Sequence, residues 1–299
     1  MDRILVFGAG GFLGSRLFGW KLNDYKFIGT VRKQVSNEIN DTVYFNALDT
    51  NKLRLLVEEV NPSIIFNCIA LTDVDNCESE PDLADTLNST FPFELAKISY
   101  EMQIKFIHFS TDHFESNDFI PRKENSRVWS INKYGASKLK GEENIKKINS
   151  NALIIRTNFF GYEIYTNNLL SKIKNTLESG DSFGGFSDVY FSPVSISELI
   201  NATFNLVKIN VSGNINIASN ETISKFDFAK LVARNLNISE SKITPTFISK
   251  SNLLTARPNY LALDNSLYKK MVNLNLKSID AMLKDELGLY PRCEDLRKG

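Results

Sequence analysis

The chain has 299 residues, enough for one large or two modest domains. Hydrophobic residues make up 42% and charged residues 23%, a globular balance that excludes a disordered chain. Lysine plus arginine matches aspartate plus glutamate, 35 against 35, so the chain has no overall basic footprint for nucleic acid.

RILVFG (3–8) is a compact apolar run closed by glycine and predicts a first strand, and FLGSRLFGWKL (12–22) predicts a helix. YKFIGTVR (25–32) and TVYFNA (42–47) predict the next two strands. TNKLRLLVEEV (50–60) is an amphipathic helix with a threonine near its start, and PSIIFNCIAL (62–71) is a buried strand. EPDLADTLNSTFPFELAKISYEM (80–102) reads mostly as helix. IKFIHFSTD (104–112) is a strand, SINKYGASKLKGEENIKKI (130–148) a helix and NALIIRTNFF (151–160) a strand. Strands alternating with helices predict an α/β fold, a Rossmann doubly wound parallel sheet that binds ligands beyond the carboxyl ends of its strands. Past residue 160 the elements shorten and loops multiply. The expected division is an NAD(P)-binding domain over 1–160 and a smaller, mainly substrate-binding region over 161–299, interleaved with the first.

Cys68, Cys77 and Cys293 are few and odd in number, and with two histidines they form neither a disulfide framework nor a zinc-ligand spacing. The chain opens MDRILVFGAGG, without a signal-peptide pattern, and has no apolar run long enough to span a bilayer. A soluble cytoplasmic protein, with neither nucleic acid nor membrane as partner, is expected.

VFGAGGFLGSRL sets Gly8, Gly11 and Gly14 three apart, after a strand and at the start of a helix. Such a loop lets backbone N–H groups approach a pyrophosphate, and the helix N-terminus favours its charge. The second strand ends GTVRK. A carboxylate there would bind the adenosine ribose, whereas Arg32, followed by Lys33, suits a 2′-phosphate. NADPH is therefore expected in preference to NADH.

HFSTDHF places Ser110, Thr111 and Asp112 after an apolar strand, and Tyr134 and Lys138 follow one helical turn apart. A hydride arriving at a carbonyl carbon creates charge on its oxygen, which needs a proton donor and hydrogen-bond donors in place. Tyr134 suits the acid and Thr111 the donor. A Lys138 ammonium beside the phenol is expected to lower its pKa from about 10 and to hold the nicotinamide ribose.

Glycine loop, Ser-Thr at a strand end and Tyr-x-x-x-Lys, in that order, resemble the extended short-chain dehydrogenase/reductase superfamily. Within it the chain looks most like the dTDP-4-dehydrorhamnose reductase family. The likeness runs almost end to end, through PSIIFNCIALTDVDNCESEPDLADTLN, STDHF, NKYGASKLKGE, LIIRTNFF and ARPNYLALDNSLY. It implies Tyr134 as general acid, Lys138 as its electrostatic partner and Thr111 as donor to the sugar carbonyl. It implies Gly8, Gly11, Phe12 and Leu13 around the pyrophosphate, Asn46 and Ala47 at the adenine, and Cys68, Ile69, Ala70 and Thr72 along the cofactor. Asp112, Phe159, Asp188, Ser192, Pro193 and Arg257 are the implied substrate ligands, with Arg257 suited by charge to a nucleotide diphosphate. The implied activity is NADPH-dependent reduction of the C4 ketone of a nucleotide-linked 4-keto-6-deoxyhexose.

The chain departs from that pattern at His113, where the family usually has tyrosine, at Phe159, where it often has tryptophan, and in SDVYFSPV. All three put the exact sugar in doubt. His113 also replaces the glutamate usual in dehydratases of the superfamily, which argues against dehydration. An epimerase that retains its cofactor, and a regulatory subunit like the methionine adenosyltransferase β subunit, stay open as alternatives. Some relatives dimerise through magnesium-bound carboxylates. Glu198 fits one such position, but Arg16 stands where another carboxylate should be, so no metal is expected, while a metal-free homodimer remains open.

Overall fold

The structure, a computed structural model, describes residues 1–32, 41–116, 119–163, 168–251 and 253–288. Lys33 and Cys293 lie outside the described residues.

Seven parallel strands form the main sheet: β1 Asp2–Phe7, β2 Tyr25–Val31, β3 Thr42–Tyr44, β4 Ile64–Asn67, β5 Lys105–Phe109, β6 Leu153–Arg156 and β7 Gly213–Asn216. Their spatial order is β7-β6-β5-β4-β1-β2-β3. Ile4 pairs with Phe27 on one side of β1 and with Ile64 on the other. The chain therefore builds outward from β1 in one direction, then from β4 in the other, and a crevice opens where the direction changes.

Side chains alternate along each strand, and both faces are covered, as a parallel sheet requires. Ile4 and Val6 face one core with Phe66, Ile107 and Ile155, under α1 (Phe12–Phe18) and α5 (Ile196–Lys208). Leu5 and Phe7 face the other with Ile65, Phe106 and Ile154, under α2 (Leu53–Val60), α3 (Phe91–Glu101) and α4 (Lys133–Ile148). Each fully buried aliphatic or aromatic side chain contributes about 1.5–3 kcal/mol. These two cores hold the strand ends, and hence the crevice, in place.

Three elements are shorter or more broken than their sequences predict. The apolar run 62–71 leaves the sheet after Asn67, because Cys68 to Thr72 pass over the strand end rather than beside a neighbouring strand. The helix expected over 80–102 runs from Pro81 to Glu101 with a π turn at Thr86–Thr90. The run 151–160 ends its part in the sheet at Arg156, and Phe159–Phe160 pairs instead with Val194–Ser195.

Beyond residue 160, two further strand pairs, Tyr190–Phe191 with Ile223–Ser224 and Phe183–Phe186 with Ile243–Thr246, stand beside helices Leu169–Glu178, Lys225–Asn235 and Ile279–Gly288. The same stretch supplies α5 and β7 to the main sheet. Among the described residues no helix is long and apolar enough to cross a membrane.

Candidate active site

The turn after β1 depends on glycine. Gly8 has φ +87, and its N–H donates to the Thr30 hydroxyl at 3.1 Å. Gly11 N–H donates to the Gly8 carbonyl at 2.9 Å. A Cβ on Gly14 would lie 2.0 Å from that same carbonyl oxygen, so only glycine lets α1 start this close to β1. Gly11, Phe12 and Leu13 form one wall of a cleft of about 510 Å³. Cys68, Ile69, Ala70 and Thr72 form a second wall beyond β4. Asn88, in the π turn, holds that wall: its Oδ1 accepts Leu71 N–H at 2.8 Å and its Nδ2 donates to Leu71 O at 2.9 Å.

Ser110, Thr111 and Asp112 line the cleft beyond β5, and Tyr134 and Lys138 reach it from α4. The start of α4 is fixed by Asn132, whose Oδ1 accepts Gly135 N–H at 2.9 Å as an N-cap. Asn132 Nδ2 also donates to Ala256 O at 2.9 Å, which ties the tyrosine's helix to the loop carrying Arg257. Gly135 sits so close to the backbone of His113 that a Cβ would be 2.6 Å from its carbonyl oxygen.

The electrostatics differ from the sequence expectation in one respect. Burial pushes the Tyr134 phenol above its ordinary value, and the Thr111 hydroxyl pulls it back only in part. Lys138 does not lower it. The Lys138 amine is buried, 1% exposed, and lies 2.7 Å from Phe109 O and 3.3 Å from His108 Nε2. Four residues on one helix bring the two side chains to one face, but the carbonyl at the end of β5 takes the amine. Burial brings the Lys138 pKa down to about 8, against the opposing charge of Glu142.

The far end of the cleft is polar. Asp112 is buried, and its Oδ2 accepts from Asn158 Nδ2 at 2.7 Å; burial raises its carboxyl to about 6. The buried Arg122 donates to Asp112 O at 2.8 Å and so anchors this strand end. His113 packs edge-on against Tyr134, with ring centroids 5.4 Å apart. Burial, then the charges of Lys225, Arg257 and Arg122, bring the His113 pKa to about 3, so it is a neutral imidazole and not an acid at physiological pH. Its Nε2 is buried and has no partner among the described residues. Lys225 also lines the cleft, and Arg257 does so while paired with Asp75 at 3.0 Å. Phe159 faces Phe12 across the cleft at 5.8 Å between centroids.

The cleft thus brings together Gly11, Phe12, Leu13, Cys68, Ile69, Ala70, Thr72, Ser110, Thr111, Asp112, Tyr134, Lys138, Phe159 and Arg257. Gly8 and Gly14 shape its glycine turn from behind. Arg32, Asn46 and Ala47 follow β2 and β3, outside the cleft wall; Arg32 and Asn46 are exposed and Ala47 is buried. Asp188 accepts Ile248 N–H at 3.0 Å, and so positions a lining residue rather than lining the cleft. Ser192 is buried against Thr222, and Pro193 is buried beside it, both off the cleft wall. Sequence reasoning missed Lys225, Asn158 and Arg122. Asn158 had a signal, its place directly after the Arg-Thr of β6; Lys225 and Arg122 come from loops and a distant helix start that no local pattern connects to the site.

Among the described residues no group of three or more histidines, cysteines or carboxylates is arranged to hold a metal. Arg16 pairs with the buried Glu286 at 3.4 Å, and Glu198 accepts Lys277 N–H at 3.2 Å.

The chain matches the family model described as RmlD substrate binding domain over residues 1–289. It is 29% identical over 269 residues to the probable low-salt glycan biosynthesis reductase Agl14 of Haloferax volcanii, covering 87% of this chain and 89% of that protein. It is 27% identical over 236 residues to the dTDP-4-dehydrorhamnose reductase of Escherichia coli, covering 77% of this chain and 76% of the relative. The crystal structure of a dTDP-4-dehydrorhamnose reductase from Bacillus anthracis, in complex with NADP, shares the fold with a TM-score of 0.86 at 24% identity, over 97% of this chain and 99% of that one.

Proposed function

The chain belongs to the RmlD substrate binding domain family, and on that premise we propose that it is a cytoplasmic sugar-nucleotide reductase, with NADPH as cofactor. Its substrate is a nucleotide-linked 4-keto-6-deoxyhexose, reduced at the C4 ketone. The observation that carries the reading is that Thr111, Tyr134 and Lys138 meet at the glycine-turn cleft.

The residues fit the cofactor. The glycine turn leaves no Cβ between α1 and the end of β1, and the cleft walls of Gly11 to Leu13 and Cys68 to Thr72 run along the switch point of the sheet. Arg32 at the end of β2, with no carboxylate in GTVRK, suits a 2′-phosphate. When bound, the nicotinamide supplies the hydride. Tyr134 gives its proton to the carbonyl oxygen of the sugar. Its raised pKa keeps the phenol protonated throughout the neutral range, as an acid must be. Thr111 donates a hydrogen bond to the same oxygen as charge develops there. Lys138 holds the nicotinamide ribose. His113 Nε2, which has no partner among the described residues, and the Asp112 carboxylate beside Asn158 would pair with sugar hydroxyls, and Lys225 and Arg257 would face the anionic nucleotide.

The test is purified protein with NADPH and a panel of nucleotide 4-keto-6-deoxy sugars, followed by loss of the nicotinamide absorbance, beside Tyr134→Phe. Oxidation with one sugar, reduced ~10²-fold or more in the variant, is expected. NADPH binding without turnover on any sugar overturns the reductase reading and points to an epimerase or a regulatory subunit.

A further inference from the structure

His108 lies beneath the site, on β5, fully buried. Its ring bridges Asn67 on β4 and Lys138 on α4, and the donor and acceptor roles along this bridge follow from one fixed point. The backbone N–H of Ile69 can only donate, and it donates to Asn67 Oδ1 at 3.0 Å. The Asn67 amide is therefore oriented, and its Nδ2 faces His108 Nδ1 at 3.1 Å. An amide nitrogen can only donate, so His108 Nδ1 must carry a lone pair. The ring proton is then on Nε2, which stands 3.3 Å from Lys138 Nζ. An ammonium has no lone pair to accept it; a neutral amine has one, and keeps N–H donors for Phe109 O at 2.7 Å.

We propose that His108 is a positioning residue for the reaction, turning Lys138 onto the Phe109 carbonyl and favouring its neutral amine form while the cofactor is absent. The titratable groups around Lys138 are compatible with this. Glu142, one turn on along α4, favours the ammonium, and Arg156 at 2.7 Å takes up part of its charge. Cys68, on the loop after β4, is pushed up by burial, and Cys77, from helix Val74–Ser79, to about 11, so both remain thiols. Tyr134 remains a phenol. Burial, and then the charge of Lys138 when it is protonated, drive the His108 imidazole well below its ordinary pKa, so the ring carries a single proton. The catalytic lysine is thus not a permanent cation in the free protein. It titrates at about pH 8 in the free protein, and its direction toward the ribose comes with the cofactor.

The chain has only two histidines, so ¹⁵N-histidine labelling resolves both rings by NMR. In the cofactor-free protein His108 is expected to show a pyridine-type Nδ1 and a pyrrole-type Nε2. A proton on Nδ1, or on both nitrogens, overturns the proposal. This arm needs no turnover and stands apart from the reductase reading, whereas the second arm rests on it. There, the pH profile of kcat/KM for NADPH is compared between the native enzyme, His108→Leu and His108→Gln. Loss of the Nε2–H donor removes support for the neutral amine, so the alkaline limb of His108→Leu moves to higher pH by about 0.5 to 1 unit. His108→Gln keeps a donor at that position and keeps the limb near its native place. A limb that stays or moves to lower pH in His108→Leu means that the imidazole accepts from an ammonium, and overturns the assignment. A purely structural role would lower activity without moving the limb.

Discussion

The Ser110 hydroxyl donates to the Glu142 carboxylate at 2.6 Å and so joins the floor of the cleft to a charged network inside the fold. Glu142 is fully buried and also accepts from Arg156 Nε at 2.9 Å and Asn214 Nδ2 at 2.8 Å. Glu142→Gln leaves the Arg156 guanidinium buried without its counter-charge, and is expected to destabilise the fold by about 3–5 kcal/mol. Urea unfolding measures this. The pH dependence follows from the same network. Burial pushes the Glu142 carboxyl up, but the charge and hydrogen bonds of Arg156 and the Ser110 hydroxyl more than offset it, so its pKa falls below the ordinary 4.5. A depressed carboxyl contributes stability above its unfolded pKa and loses it as pH falls through the folded one. The native protein should therefore lose this contribution only below about pH 4.5, and Glu142→Gln should flatten that acid limb.

Gly14→Ala puts a methyl group 2.0 Å from a backbone oxygen and 2.7 Å from the carbon behind it, both in Gly8. Neither can rotate away, so α1 must move off β1. A loss of about 1–3 kcal/mol in stability is expected, with a larger loss of NADPH affinity because the turn itself shifts. Fluorescence titration with NADPH, beside unfolding curves, separates the two. Unchanged affinity would show that the turn does not hold the cofactor.

The parallel sheet and the residues that meet at the cleft were legible because short-range patterns encode them. Apolar runs mark strands buried on both faces, the glycines lie within one turn, and Tyr134 and Lys138 lie within one helical turn. The direction of the Lys138 amine was not legible. It is decided by the Phe109 carbonyl and the His108 ring, on a strand far from it in sequence. The polar end of the cleft was legible only in part. Arg257 sits in a recognisable Ala-Arg-Pro, but Lys225 precedes Phe226 at the start of a helix and reads locally as a solvated cation. Asp188 shows the converse: an acidic residue in a motif-like loop whose carboxylate is used by the Ile248 N–H.

Arg32 is exposed at the end of β2, where the adenosine ribose of a bound dinucleotide would lie. Arg32→Glu replaces a partner for a 2′-phosphate by a group that repels it. The ratio of kcat/KM for NADPH over NADH should fall by roughly 10- to 100-fold, the range for a lost charge-assisted hydrogen bond. An unaltered ratio would mean that Arg32 is only a solvated turn residue.

Asp112 gives a second titration of opposite sign. Burial raises its carboxyl to about 6, although Asn158 Nδ2 and nearby cations pull it down. A raised carboxyl favours folding below its unfolded value of 3.8 and loses that contribution as pH rises through about 6, the reverse of Glu142. In the proposed reaction the ionised form would accept from a sugar hydroxyl. kcat/KM for the sugar nucleotide should therefore fall as pH drops below about 6, and Asp112→Asn should lose that limb. A limb that survives in Asp112→Asn assigns it to another group.

Lys225 and Arg257 separate substrate binding from stability. Arg257 already has a partner, since Asp75 lies 3.0 Å away, with both side chains about a third exposed. Such a pair is worth about 0–1 kcal/mol, so Arg257→Met should barely change the unfolding midpoint. Lys225 has no carboxylate at ion-pair distance among the described residues, although burial lowers its pKa and the charge of Asp112 opposes that shift. A cation held in a cleft without a counter-ion is stabilised when an anion binds beside it. Lys225→Met should leave NADPH affinity and thermal stability near native, or raise stability slightly, while KM for the sugar nucleotide rises roughly 10-fold or more. Steady-state kinetics with NADPH saturating, beside a melting curve, reads both quantities. If KM holds and kcat falls instead, Lys225 acts on the reacting sugar and not on the anionic part of the substrate.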